Sequence, residues 1–196
     1  MAENTPDRIP SRKECEELMA QYAMRPHIVA HSLQVMRVSL AVTDHLKNGV
    51  SVNRDLVAAA ALLHDITKTR SFVTKERHDA SGGALLRELG FPHVAEIVEQ
   101  HVTIRNVNLH GELEEREIVY YADKRVLHDT IVTIDERAND IMQRYGAVEE
   151  IRSLILQNKS QVLAVERKIA RFMKTEIDQA IGGIKTKKAH ASDDHQ

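Results

Sequence analysis

A histidine and an aspartate stand side by side at the end of an alanine-rich hydrophobic run, and this pair limits what the chain can fold into. The run covers residues 56–63 and contains only alanine, leucine and valine, which is typical of a buried helix. His64 and Asp65 follow it directly. A charged group buried at a helix end either shifts its pKa or finds a counter-charge. A divalent metal ion can be that counter-charge, because it accepts imidazole nitrogen and carboxylate oxygen together.

Other residues of ligand type lie on the hydrophobic faces of further predicted helices. Apolar side chains recur at helical spacing in residues 26–47, 92–102 and 112–127. The ligand-type residues on these faces are His31, His101 and Asp123. A single histidine on an apolar face is more often a hydrogen-bonded core residue, and Asp123 could instead pair with Arg37 or Arg125. Their joint occurrence on separate helices favours a metal site.

The order His31, His64-Asp65, Asp123 resembles that of the HD superfamily of metal-dependent phosphohydrolases. Residues 64–68 are similar to that family's HD-I-G-K signature, with Thr67 where glycine is common. Residues 121–124 are similar to its A-D-K segment, and the resemblance covers roughly residues 26–130. It implies an all-α fold, namely an HD-domain helical bundle with the metal site at its centre, followed by C-terminal helices.

The resemblance also implies a set of metal ligands. The first site would be formed by His31, His64, Asp65 and Asp123. Some members hold a second metal through two extra histidines, and His78 and His101 stand where those residues are expected. Asp65 would then bridge the two ions, so one or two divalent metals are expected per chain, with two favoured. Imidazole and carboxylate ligands suit iron, manganese, zinc, nickel and cobalt, and magnesium is a further option. The lack of a thiolate ligand, together with the family resemblance, favours iron or manganese.

The implied activity is hydrolysis of a phosphoester or phosphoanhydride in a small nucleotide-type substrate by metal-activated water. Asp65 and Lys68 are the expected catalytic residues. Lys68 would stabilise charge on phosphate, although it could equally be a solvated lysine favoured by the helix dipole. The candidate substrate-binding residues are Lys68, Arg70, Arg105, Lys124 and Arg125.

Two comparisons within the family narrow the expectation. Members that cleave cyclic di-GMP usually carry paired histidines and a Gly-Tyr-Pro segment, whereas Val102 follows His101 here and that tripeptide is absent. Small two-metal members that cleave dinucleoside tetraphosphates match better than one-metal monophosphate phosphatases. The alternatives are a catalytically silent domain that binds nucleotide and metal as a regulator, and a helical scaffold with a purely structural metal.

Composition predicts the cellular location of the protein and the kinds of partner it has. The net charge is −2, so no overall positive field favours a nucleic-acid partner, and we expect none. The single cysteine, Cys15, fits a reducing cytoplasm. No apolar run of about 18 residues exists, so we expect a cytoplasmic protein without a membrane partner.

The sequence predicts one domain with a flexible segment at each end. We predict a flexible N-terminus at 1–10, a single helical domain at 11–182 and a disordered tail at 183–196. Within the domain, the core is predicted at 26–130 and the C-terminal helices at 135–181. Local signals predict a capping box at Ser11 and Glu14, a helix cap at Asn53 and polar loops at 67–77 and 103–111. Two amphipathic segments, at 135–145 and 147–181, make up the region of the C-terminal helices. The C-terminal helices could pack around the core, or form a lid or the surface of a homodimer.

Overall fold

The computed structural model describes residues 8–184, and this part of the chain is mostly helical, with almost no sheet. The first helices are α1 (Arg12–Gln21), α2 (Pro26–Asp44), α3 (Arg54–Leu63), α4 (Lys68–Thr74) and α5 (His78–Glu88). After them come α6 (Pro92–Val98), α7 (Glu115–Lys124), α8 (Ile134–Tyr145), α9 (Glu149–Phe172) and α10 (Ile177–Gly182). A two-residue antiparallel hairpin, β1 (Val126–Leu127) with β2 (Thr130–Ile131), follows α7. The predicted all-α class is confirmed.

Local capping signals set several helix starts as predicted. The Ser11 side chain accepts from the Glu14 N–H, and the Glu14 carboxylate accepts from the Ser11 N–H. The Asn53 side chain accepts from the N–H groups of Asp55 and Leu56 at the start of α3. Each bond satisfies an N–H group that has no partner inside its helix.

The core is arranged around the small side chains of α3. Helix α3 packs along α2 and also contacts α1, α6 and α7. Its residues 59–63 are all buried, and three of them are alanines, which allow neighbouring helices to approach closely. The end of α3, where His64 lies, is therefore surrounded by helices.

The C-terminal half of α9 belongs to this core. Val165 and Ile169 are buried, and so is Lys168, whose Nζ donates to Glu117 Oε1 of α7 at 2.7 Å. A paired, buried lysine fixes the register of α9 against α7, because leaving either charge unpaired there would be costly. This half of α9 packs around the core, which is one of the two arrangements predicted for the C-terminal helices. In contrast, α8 and the first half of α9 lie over the candidate metal centre described below.

The polar loop predicted at 67–77 is wrong, because most of it forms α4. Ser71 N–H donates to the Thr67 carbonyl at 3.0 Å, and Lys75 N–H donates to the Ser71 carbonyl at 2.9 Å. Lys75 then ends the helix in the left-handed conformation, with φ of 60°. No α4 side chain is buried, so the segment lacks the hydrophobic periodicity by which a helix is recognised.

The amphipathic segment predicted at 147–181 is divided into two helices, because the chain breaks between α9 and α10. Met173 has an extended backbone and forms an isolated bridge with Leu46. The next residue, Lys174, donates its N–H to the His45 carbonyl at 2.8 Å. These bonds attach the break to the end of α2 and turn α10 back onto the core.

The predictions for the chain ends lie mostly outside the described residues, which leave out 1–7 and 185–196. Across residues 8–184, every helix is too short or too polar to span a lipid bilayer.

Candidate metal centre

The six predicted ligand residues come together from different helices. His31 lies on α2, His64 caps α3 and Asp65 follows it; His78 begins α5, His101 follows α6, and Asp123 lies near the end of α7. Two groups of these residues could each hold an ion, because the ligand atoms in each group lie within 4.8 Å of one another. The first group is His31, His64 and Asp65, and the second is Asp65, His78 and His101. All six are buried except His78, whose side chain is 25% exposed.

Asp65 lies between the two groups and turns one oxygen toward each. Its Oδ2 is 3.4 Å from His64 Nε2. Its Oδ1 is 3.3 Å from His78 Nε2 and 3.5 Å from His101 Nε2, and these two nitrogens are 3.2 Å apart. A carboxylate with imidazoles facing each oxygen has the arrangement needed to bridge two ions.

Asp123 completes the group around His64. Its Oδ1 is 3.0 Å from His31 Nε2 and 3.7 Å from His64 Nε2, and its Oδ2 accepts from Lys124 Nζ at 2.7 Å. The alternative pairing of Asp123 with an arginine is wrong. Arg37 donates to the Gln34 side chain, and Arg125 pairs with Asp178.

Backbone carbonyls orient three of the imidazoles. The Nδ1 atoms of His31, His64 and His101 lie 2.8, 2.8 and 2.7 Å from the carbonyl oxygens of His128, Ala61 and Val98. A carbonyl can only accept, so each Nδ1 carries the proton and each Nε2 turns a lone pair toward the centre. Metal-binding histidines are held in this way.

Two buried polar atoms at the centre have no hydrogen-bond partner among the described residues. They are His64 Nε2 and Asp65 Oδ1. Burying such atoms without a partner costs about 1–3 kcal/mol each. A divalent ion in each group would satisfy both atoms, and the nitrogen and oxygen donors suit such an ion. The residues therefore fit a metal centre.

The protonation states of Asp65, His101 and His64 also suit metal binding. Burial acts to raise the pKa of Asp65, but the imidazoles of His64, His101 and His78 close to it favour the charged carboxylate and hold this pKa well below its usual value. Burial lowers the pKa of His101, which keeps that ring neutral. For His64, burial acts to lower the pKa, but the Asp65 and Asp123 carboxylates outweigh it and raise the pKa. The centre thus attracts positive charge, and a metal ion can supply it in place of a proton.

Of the predicted cations, only Lys68 and Lys124 reach the centre. Lys68 Nζ is 2.7 Å from Asp65 Oδ2, and both lysines line the cavity that opens onto the ligands. Arg70 is exposed and pairs with Glu76, and Arg105 lies on an exposed loop. Arg125 is directed away, toward Tyr121 and Asp178. These three arginines do not line the cavity.

Residues that the sequence did not single out form the roof of this cavity, whose volume is about 340 Å³. They come from α8 and α9 and include Arg137, Asn158 and Lys159. A signal for them exists in α9, because residues 151, 155, 158 and 162 recur at helical spacing and Val162 is buried. That spacing predicts a shared face, but it does not reveal what the face covers.

Thr67 connects the two halves of the centre. Its buried hydroxyl donates to the His78 carbonyl at 2.9 Å and lies 2.9 Å from the Ser81 hydroxyl. The residue that departs from the usual glycine therefore ties the turn after Asp65 to the start of α5, where His78 lies.

Comparison with protein-family models matches residues 28–125, half of the chain, to the HD domain. Among curated proteins, the chain is 30% identical over 132 residues to the dihydroneopterin 2′,3′-cyclic phosphate phosphodiesterase of Methanocaldococcus jannaschii. The match covers 60% of this chain and 49% of that protein, so the chain spans about half the length of its curated relative. No solved structure matches.

Proposed function

The chain belongs to the HD domain family, and from this premise we propose that it is a two-metal phosphohydrolase acting on a small nucleotide-type phosphate ester. The observation that carries the proposal is the placement of Asp65, with one oxygen toward His64 and the other toward His78 and His101. The ligands we propose are His31, His64, Asp65 and Asp123 for one ion and Asp65, His78 and His101 for the other. Iron or manganese is the metal we favour, because the donors are imidazole and carboxylate without thiolate.

Bound divalent ions would lower the pKa of coordinated water and so provide a nucleophile at neutral pH. The protein's own contribution is positioning and charge. Lys68 and Lys124 place ammonium groups on the cavity wall beside the two carboxylates, where they can neutralise phosphate oxygens. The backbone carbonyls behind His31, His64 and His101 hold those rings in place during turnover.

We propose a phosphodiester, including a 2′,3′-cyclic phosphate, as the bond that is cleaved. Support comes from the curated relative, whose name is that of a cyclic phosphate phosphodiesterase. In this reaction water adds to phosphorus and one P–O ester bond breaks. The released alcohol oxygen takes the proton, and the product is a phosphate monoester.

The test is hydrolysis of adenosine 2′,3′-cyclic phosphate by the full chain. Protein loaded with Mn²⁺ or Fe²⁺ should convert it to a monophosphate; chelation should abolish turnover, and adding back the same metal should restore it. Product is measured by phosphorus NMR. Turnover that persists in full without metal, or a metal-loaded protein that turns over neither cyclic phosphates nor nucleoside monophosphates, would contradict the proposal. The second result would point to a silent regulatory domain.

Thr67→Val should weaken the metal group that contains His78. The change removes the hydroxyl that holds the His78 carbonyl while keeping the side chain's shape. We expect the affinity of the weaker-binding metal to fall about 10-fold, since residues behind metal ligands typically contribute 10–100-fold. Calorimetric metal titration measures this, with Thr74→Val on the exposed side of α4 as the matched control. Equal loss at both metals, or no loss, would show that Thr67 does not position His78.

A further inference from the structure

The cavity over the proposed metals has two chemically different halves. Its floor carries the carboxylates, imidazoles and lysines already described. Its roof is mainly aliphatic. The aliphatic roof is defined by Ile134, Ala138 and Ile141 of the α8 segment and by Ile151, Leu154 and Ile155 of α9.

The roof leaves apolar surface exposed to solvent. Leu154 is 62% exposed and Ile151 is 39% exposed, although both line the cavity. Among the described residues, most of the large apolar side chains that are at least 39% exposed lie between residues 145 and 156. A cluster of exposed apolar side chains beside a polar site commonly marks a binding surface, because water there is displaced at a gain in free energy.

Hydrogen bonds hold the roof in place over the floor. Asn158 Nδ2 donates to the Val102 carbonyl at 3.3 Å, and Gln161 Nε2 donates to the Ile104 carbonyl at 2.9 Å. Both acceptors lie in the segment directly after His101. The aliphatic roof is therefore a formed wall that a ligand on the floor would meet.

Of the two roof cations that line the cavity, Lys159 is paired with an acidic side chain, whereas Arg137 keeps its buried Nε without a hydrogen-bond partner among the described residues. Lys159 Nζ is 2.5 Å from Asp135 Oδ1, and Arg137 Nη1 is 3.4 Å from Asp140 Oδ2. A polyphosphate chain or a nucleic-acid strand needs several cations to pair with its phosphates. Arg137 alone supplies fewer cations than that, and the aliphatic remainder of the roof suits an uncharged organic group. The cavity volume of about 340 Å³ lies at the small end of ligand sites.

We infer that the substrate is a phosphoester with a single phosphate group and one flat ring system, and that the ring packs against the aliphatic roof. This inference rests on the proposed function, because the phosphate must lie on the metal floor for its ring to reach α8 and α9. Leu154 is the specificity-determining residue we assign, since it is the most exposed of the large apolar side chains of the roof. Ring-free phosphoesters and polyphosphates are expected to be poor substrates.

The experiment compares two substrates with the same reacting group. Adenosine 2′,3′-cyclic phosphate carries a ring, and glycerol 1,2-cyclic phosphate does not. The wild type should prefer the adenosine compound in kcat/KM, mainly through KM. Leu154→Asn should lower that preference about tenfold, the equivalent of about 1.4 kcal/mol of transition-state stabilisation. Leu156→Asn is the matched control, because Leu156 is 52% exposed on the same helix but does not line the cavity.

Equal kcat/KM for the two substrates, or a preference that Leu154→Asn leaves intact, would overturn the inference. Failure of the reaction is detected separately. If the metal-loaded protein turns over neither compound, binding of adenosine 2′-phosphate is measured by calorimetry on the same variants. Binding that is about tenfold weaker in Leu154→Asn than in Leu156→Asn would support the ring site without the proposed reaction, and equal binding would overturn it.

Discussion

Asp65→Ala should remove bound metal and lower hydrolysis by at least about 10³-fold while leaving the helices in place. Asp65 is the only residue shared by the two metal groups found among the described residues, so its loss damages both. Metal ions supply several kcal/mol of transition-state stabilisation, and each 1.36 kcal/mol corresponds to a factor of ten in rate. The helices should persist, because an ionised carboxylate that is 1% exposed is itself costly to bury.

Elemental analysis, phosphodiesterase assay and circular dichroism measure the three quantities on the same preparation. Asp44→Ala is the matched control, since Asp44 pairs with Arg54 at 2.7 Å and its side chain is about half exposed. That variant should keep its metal and its activity. Unchanged metal content in Asp65→Ala would contradict the proposed bridging role of this carboxylate.

His101→Ala should lower the metal content from two ions to one and reduce turnover at least about 100-fold. The change removes one of the two imidazoles that face Asp65 Oδ1. The group of His31, His64 and Asp65 is left intact, so one ion should stay bound. The loss of activity follows because the second ion shares the stabilisation of charge on phosphate.

His110→Ala is the control for this variant, because His110 is exposed on the loop after His101 and lies outside both metal groups. It should retain two ions. Loss of all metal in His101→Ala would show that the division into two sites is wrong, and full retention would show that His101 is not a ligand.

The residues of the centre could be predicted because their signals are local. His31 falls within a helical stripe, and His64 and Asp65 end a buried run whose start is set by Asn53. Such patterns depend on neighbours three or four residues away, which the sequence displays directly. The structure brings all these side chains together.

The directions of the cations could not be predicted in the same way. Arg125 follows Asp123 by only two residues, but consecutive residues on a helix turn by about 100°, so the two side chains diverge. Arg125 therefore points to Tyr121 and Asp178. Lys124 is also rotated from Asp123, yet its long side chain reaches back to the carboxylate. Sequence proximity to a ligand was thus a poor guide to contact with the site.

The roof of the cavity could not be predicted from the sequence, for a different reason. The α8 segment and the first half of α9 are amphipathic, and an amphipathic helix can face a core, a partner or a ligand with the same pattern. Only the tertiary bonds from Asn158 and Gln161 to the segment after His101 determine which of these it covers.

The most direct test of the two-metal centre is the number of metal ions per chain, measured by elemental analysis after reconstitution of the full chain with excess Mn²⁺ or Fe²⁺ and removal of free metal. We predict a value close to two. A value close to one at saturation would contradict the bridging arrangement and leave His78 and His101 as residues around a single ion. A value close to zero would contradict a metal centre in this protein altogether.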